Sequence, residues 1–205
     1  GPIPPVEFIP LAESCNIIGQ LGQFAMSQAA AQLSLWQKTT GNSAVFMSVN
    51  LSSRQILRRD LLQEVRNVLG ASQVAKGTFK LELTESAVME NPEQAVFILD
   101  KIKSLGIGLS LDDFGTGHSS LAYLSRFPFD LLKIDKTFLH DESPKKFVLL
   151  KSMINMAHEL GLRVIVEGIE TDRDALQLRQ LGCEFAQGYL FGEPMTAENA
   201  LRLLR

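Results

Sequence analysis

Cysteine, histidine and surplus positive charge are all scarce in this chain, and each shortage closes off a class of function. Among 205 residues the only cysteines are Cys15 and Cys183, which stand far apart with neither CxxC spacing nor a histidine companion. That pattern reads as two reduced, buried thiols of a cytosolic protein in preference to a disulfide or a zinc site. The net charge is −3 with 21% charged residues. Without a basic excess the chain has no means of neutralising many phosphates, which argues against a duplex nucleic-acid binder. A small phosphate-bearing ligand held through metal ions stays compatible, because such a site is itself acidic. No apolar run is long enough to cross a bilayer, and the start shows no signal-peptide pattern. Low-complexity segments, long linkers and internal repeats are missing as well.

What remains fits one domain: 45% apolar residues are enough for a sizeable core. Gly1 to Pro5 is proline-rich and expected to be loop. From Ile17 to Trp36 the residues Ile17, Leu21, Phe24, Ala25, Ala29 and Leu33 recur at three- and four-residue spacing, which predicts a helix. Ala44–Leu51 is short and β-rich, a strand. Alternation then continues: helix Gln55–Leu69, strand Phe79–Glu85, helix Pro92–Leu105 opened by Asn91, strand Ile107–Asp112, short helix Ser119–Arg126, strand Leu131–Asp135. Helix Pro144–Leu160, strand Arg163–Glu167, helix Asp172–Leu181, strand Phe185–Phe191 and helix Ala197–Leu204 complete the chain. Strict alternation of this length implies an α/β fold, a parallel sheet with helices outside. About six of the eight strands of a (β/α) barrel are present, so the expectation is a TIM-like barrel incomplete in this chain. An open doubly wound sheet is the alternative, but its Gly-rich phosphate fingerprint after the first strand is lacking.

Successive strand residues face opposite ways, and the division repeats along the chain. Val49 and Leu51 oppose Ser48 and Asn50; Leu81 and Leu83 oppose Glu82 and Thr84; Leu109 and Leu111 oppose Ser110 and Asp112. Leu132 and Ile134 oppose Lys133 and Asp135, Val164 and Val166 oppose Glu167, and Gln187 stands beside Gly188. One face suits the helices; the other carries polar groups near the strands' C-terminal ends. Barrel interiors normally hold branched apolar chains, and an unpaired buried carboxylate there would usually protonate or acquire a cation. Lys133 alone cannot neutralise Glu82, Asp112, Asp113, Asp135 and Glu167. Carboxylates with an amide oxygen, and no cysteine or histidine, form a hard-oxygen set suited to Mg²⁺ or Mn²⁺. Adjacent Asp112 and Asp113 would let one strand end touch two ions, as in phosphoryl transfer. The competing explanation is an internal salt-bridge network around Lys133.

Six ordered runs resemble EAL domains: Ser48–Gln55 (SVNLSSRQ), Leu81–Ser86 (LELTES), Leu111–Ser120 (LDDFGTGHSS), Leu132–Asp135 (LKID), Val166–Glu170 (VEGIE) and Gln187–Phe191 (QGYLF). Phe8–Glu13 (FIPLAE), a helix region in that family, fits too. The resemblance implies Asn50, Glu82, Asp112 and Asp113 as metal ligands, Lys133 and Glu167 as residues that position or activate the attacking water, and Gln187 as lining the substrate pocket. It implies hydrolysis of cyclic di-GMP to linear pGpG with Mg²⁺ or Mn²⁺ at a two-metal site. Glu85 matches a family residue bracing the loop Asp112–Ser120, in which Gly115, Thr116 and Gly117 would permit closure; a solvated strand-end carboxylate is the plainer reading of Glu85.

One family feature is missing. The Glu-x-Leu motif, whose glutamate is a metal ligand, would lie upstream of Gly1; Glu7 and Glu13 do not replace it. The chain is therefore expected to be an EAL domain, residues 1–205, truncated at its N-terminus, with exposed sheet edges and no activity by itself. The alternative is a degenerate member that binds the nucleotide without cutting it, as a receptor or scaffold. Further expectations are a homodimer through helices flanking the Leu131 strand, attached regulatory domains, and a cytoplasmic location. Arg54 is placed to meet a phosphate or to be a surface residue at a helix start. His118 reads as a loop contact, His140 and His158 as solvent-facing, and Trp36 with the helical Phe and Met positions as core.

Overall fold

Proline starts the first element of the computed structural model, which describes residues 3–115, 121–140 and 145–204. Pro4 is extended and Pro5 takes the first helical position of α1 (Pro5–Ser14), where a missing N–H costs nothing. Helix α2 (Ile18–Thr40) ends at Gly41, whose φ of +67° is the left-handed conformation that glycine adopts freely. There follow β1 (Met47–Asn50), α3 (Ser53–Ile56), α4 (Leu61–Ala71), β2 (Phe79–Thr84), α5 (Glu85–Met89), α6 (Pro92–Ser104) and β3 (Gly108–Phe114). Next come α7 (Leu121–Leu124), β4 (Leu131–Ile134), α8 (Thr137–His140), α9 (Lys146–Glu159), β5 (Arg163–Val166), α10 (Asp172–Gln180), β6 (Phe185–Ala186) and α11 (Ala197–Leu203).

The six strands are all parallel and stand in chain order, β1-β2-β3-β4-β5-β6. A parallel sheet without a strand-order reversal is a barrel in the making, because each crossover turns the same way. The curl is visible at its N-terminal end. Phe46, one residue before β1, meets Phe185 of β6 edge to face with ring centroids 5.4 Å apart. First and last strands therefore approach each other, and the open doubly wound alternative is set aside.

Outward strand residues build the core. Leu81, Leu109, Leu132 and Val164 have no exposed surface and pack with Met26, Leu33, Leu99, Ile102 and Ile154 of the helices. Each such side chain contributes roughly 1.5–3 kcal/mol by leaving water. The inward face is different in kind. Lys80 is only 2% exposed, donates from Nζ to the Gly77 carbonyl at 3.0 Å and stands 5.4 Å from the Phe46 ring centroid. Gly108 makes that possible, since a Cβ there would fall 2.7 Å from the Lys80 Cγ and Nζ. Burial, the largest influence, pushes the Lys80 ammonium below its ordinary range.

Several expectations change. The periodic set Ile17, Leu21, Phe24, Ala25, Ala29 and Leu33 lies in a helix as expected but does not share one buried face: Leu33 is buried, whereas Ile17 and Phe24 are 50% and 63% exposed. Ile18, Gly22, Met26 and Ala30 go inward beside Leu33. The reason is the glycine edge: a Cβ on Gly22 would lie 1.8 Å from Gln55 Nε2, and one on Gly19 would meet the Arg58 guanidinium. That edge receives the ends of the Gln55 and Arg58 side chains. The single helix expected over Gln55–Leu69 is two, α3 and α4, broken where Arg58 turns to Asp60 and Glu64. The strand expected over Ala44–Leu51 pairs only at Met47–Asn50, and that over Phe185–Phe191 only at Phe185–Ala186. Beyond it Gly188 presses on Ile169, whose backbone oxygen would be 2.1 Å from any Cβ. Glu85 opens α5 and is not the end of β2, because the Thr84 hydroxyl accepts the Ala87 N–H and caps that helix. Cys15 is exposed and Cys183 half-buried, so two buried thiols is the wrong description. Phe97 is 60% exposed with the Lys101 ammonium over its ring, and is not core.

Candidate functional site

The polar residues meet at the C-terminal mouth of the sheet because the register aligns them. Asn50 of β1 stands beside Glu82 of β2, and Thr84 beside Asp112 of β3. The β3–β4 register shifts between Leu111 and Phe114, a bulge that bends β3 at its two aspartates. Asp113 takes φ +56° there, a conformation that aspartate tolerates better than most side chains. Its N–H is held by Asp112 Oδ1 at 3.0 Å.

Lys133 is the hub. Its Nζ lies 3.1 Å from Glu82 Oε2, 3.0 Å from Asp112 Oδ1 and 2.7 Å from Glu167 Oε1. The lysine side chain is 6% exposed and its three partners 10%, 14% and 22%. Four strands thus contribute to one cluster, in which three carboxylates face one ammonium. Burial alone would lower the Lys133 pKa; Glu82, the Glu167 hydrogen bond and Asp112 together outweigh it and raise the pKa well above the ordinary lysine value. Asp113 is pushed above the usual aspartate range, first by burial and then by Asp112, Asp135 and Glu167, against a smaller opposing pull from Lys133. Asp135 goes the other way: burial raises it, but hydrogen bonds from Thr137 and the Lys136 N–H bring it below normal. The Thr137 N–H reaches Asp135 Oδ1 at 2.9 Å.

The structure therefore joins Lys133, Glu82, Asp112 and Glu167 directly and sets Asp113 and Asp135 in the same field. Asn50 stands at the exposed outer end of β1, next to Glu82. Gln187 is exposed; its backbone donates to Val166 O at 3.0 Å, which fixes it one strand from Glu167. Glu85, 5% exposed, accepts the Gly115 N–H at 3.3 Å, so it is a buried brace and not a solvated strand end. Gly115 has φ +92° and a Cβ there would lie 2.6 Å from the Phe138 ring. Thr116, Gly117 and His118 lie outside the described residues. Arg54 donates to the Glu13 carbonyl at 2.9 Å, tying α3 to α1. His158 is engaged by Glu184, with Nε2 3.0 Å from Oε1. Sequence reasoning missed the cavity of about 800 Å³ beside Asn50, lined by Ile9, Glu13, Ser52, Gln55 and Met89, since its walls come from segments far apart in the chain.

A divalent cation suits this site by donor chemistry: Asn50, Glu82, Asp112 and Asp113 offer hard oxygens, and one lysine against this many carboxylates leaves negative charge uncompensated. Among the described residues no three acids or histidines already converge as a metal-binding group. Lys133 Nζ occupies the point where Glu82, Asp112 and Glu167 meet.

Acids gathered at the C-terminal strand ends of a curled parallel sheet define an incomplete TIM-like barrel with its site at the usual end. A family model described as the EAL domain matches residues 1–194. The chain belongs to the EAL domain family. It is 36% identical over 203 residues to MucR of Pseudomonas aeruginosa, a bifunctional diguanylate cyclase/cyclic di-GMP phosphodiesterase, covering 98% of this chain and 30% of MucR. It is 39% identical over 197 residues to the cyclic di-GMP phosphodiesterase NbdA of the same organism, covering 95% of this chain and 25% of NbdA. The solved MucR phosphodiesterase in complex with c-di-GMP superposes with a TM-score of 0.91 at 36% identity, over 97% of this chain and 81% of that one. The EAL domain of Mycobacterium smegmatis DcpA superposes with a TM-score of 0.83 at 31% identity, over 92% of this chain and 85% of that one. The chain spans less than a third of the length of these curated relatives. No helix among the described residues is long and apolar enough to cross a membrane.

Proposed function

We propose that the complete protein to which this chain belongs hydrolyses cyclic di-GMP to linear pGpG with Mg²⁺ or Mn²⁺. The observation that carries the proposal is Lys133 held among Glu82, Asp112 and Glu167 at the strand ends. The relatives' phosphodiesterase names and the c-di-GMP complex of MucR support the choice of substrate. Asn50, Glu82, Asp112 and Asp113 would hold the cations, which would supply Lewis acidity to the phosphoryl oxygens and make water easier to deprotonate. The chain's own groups do the rest. Glu167 accepts the proton of the attacking water, whose oxygen bonds to phosphorus as the bond to the leaving sugar oxygen breaks; that oxygen takes its proton from solvent. The Lys133 ammonium, fully charged at neutral pH, stabilises the charge that develops on the phosphoryl group. Gln187 lines the pocket, and Glu85 braces Gly115 at the start of the adjoining loop.

The alternative is a receptor that binds cyclic di-GMP without cutting it. Incubation of the complete protein with cyclic di-GMP and Mn²⁺, with chromatography of the products, separates the two. Accumulating pGpG that chelation abolishes supports the enzyme; intact nucleotide bound without metal supports the receptor. We further infer a cytoplasmic protein with attached regulatory domains and a homodimer through the helices flanking β4, which a monomeric mass at every concentration would exclude.

A further inference from the structure

One buried polar group on the inner face of the sheet is left unused by the fold. Among the described residues, Trp36 Nε1, Ser52 Oγ, Gln55 Nε2 and Ser110 Oγ are buried without a hydrogen-bond partner. Only Ser110 of these belongs to a strand. It is 0% exposed, and its enclosed hydroxyl leaves no room for a water beside it. A hydroxyl buried in this way destabilises the fold, and alanine in the same space would not. Leu109 and Leu111 enter the core, so Ser110 faces inward. It is the Cα partner of Glu82 on one side and of Leu131 on the other. Since β3 has a strand on either side, this environment belongs to the middle of the sheet and not to its edges. Lys133, two residues beyond Leu131, shares the inward face, and strand spacing and rise put its Cα roughly 8 Å from that of Ser110. A lysine stem spans that gap.

We infer that Ser110 is a positioning residue, whose Oγ accepts a Lys133 N–H when divalent cations take the Glu82 and Asp112 oxygens. The inference rests on the reading that these carboxylates hold cations. Donors and acceptors then balance. The three N–H groups of the ammonium match its three carboxylate neighbours, Glu82, Asp112 and Glu167. When Glu82 and Asp112 turn to a cation, two of those donors lose their acceptors, and a buried ammonium left idle in this way is costly. Ser110 supplies an acceptor from the neighbouring strand, while the Glu167 contact keeps the positive charge at the mouth. Thr84, the inward hydroxyl beside Asp112, is already committed, because its Oγ1 accepts the Ala87 N–H. A serine that is idle with Lys133 among the acids therefore becomes satisfied once the acids are occupied.

Thermal melts without metal and calorimetric titration with Mn²⁺, both on the complete protein, test this without reference to catalysis. Ser110→Ala should melt a few degrees above the wild type in the absence of metal, yet bind Mn²⁺ about tenfold more weakly. The opposite signs separate this role from a purely structural one, which would lower both. In a Lys133→Met background, Ser110→Ala should leave Mn²⁺ affinity unchanged, because the donor that needed the hydroxyl is gone. The single substitution decides by itself should Lys133→Met fail to fold. Equal Mn²⁺ affinity of Ser110→Ala and the wild type overturns the inference. So does a metal-free Ser110→Ala that melts below the wild type or loses its fold, or an equal loss of affinity without Lys133. Each of these results leaves the cation reading standing, whereas a wild type that binds no Mn²⁺ overturns both.

Discussion

Replacing Lys133 by methionine tests the electrostatic heart of the site, because it removes the single cation from a cluster of three carboxylates and keeps the side-chain volume. Each oxygen is 2.7–3.1 Å from Nζ, and no side chain of the four is more than 22% exposed. Taking away one partner of a buried ion pair costs about 3–5 kcal/mol, because the remaining charge is stranded. Here three charges are stranded, but partial exposure, greatest at Glu167, screens them, so about 3–5 kcal/mol is the expectation at pH 8. The sign with pH follows from proton binding. Lys133 is raised above the ordinary lysine value, so its contribution is complete at neutral pH and below and is lost only at high alkaline pH. In Lys133→Met the crowded acids are relieved only by taking up protons, so the folded variant binds more protons than its unfolded chain. Its stability therefore falls as pH rises, and the deficit against the wild type should be larger at pH 8 than at pH 5. Urea denaturation at both values measures this, with Lys133→Arg as the charge-retaining control. A Lys133→Met protein within about 1 kcal/mol of the wild type at pH 8, or one with equal deficits at both values, would refute the reasoning.

Asp113→Asn should stabilise the protein at pH 8, since burial and neighbouring acids disfavour the charged form and asparagine accepts the φ of +56°. Because the folded pKa is raised, wild-type stability falls as pH climbs through it, so the gain should fade toward pH 4; thermal melts read both, and the same variant should lose any Mn²⁺-induced rise in Tm. Gly115→Ala forces a side chain into φ +92° and against Phe138, and should cost about 1–3 kcal/mol by chemical denaturation. Burial raises the Cys183 thiol to about 11 from an ordinary 9.0. Its contribution is thus intact below pH 9.0 and lost toward pH 11, by at most about 2–3 kcal/mol. Comparing melts of wild type and Cys183→Ala across that range isolates it, and Cys15, being exposed, should be alkylated first by iodoacetamide as followed by mass spectrometry.

Alternation of apolar and polar residues along each strand was enough to define a parallel α/β sheet and to put Glu82, Asp112, Lys133 and Glu167 on one face. Period-two geometry leaves no other choice once the strands exist. Caps were equally local: Asn91 before Pro92 opens α6, as its side chain and the proline require. Three matters depended on the third dimension. Whether Lys133 pairs with one acid or three is set by inter-strand register, which a single strand's sequence does not contain. Where β2 ends and α5 begins turned on the Thr84 cap, so Glu85 became a buried brace. The side of α2 that enters the core turned on glycines that admit Gln55 and Arg58, a steric condition imposed by the neighbouring helices that hydrophobic periodicity cannot register.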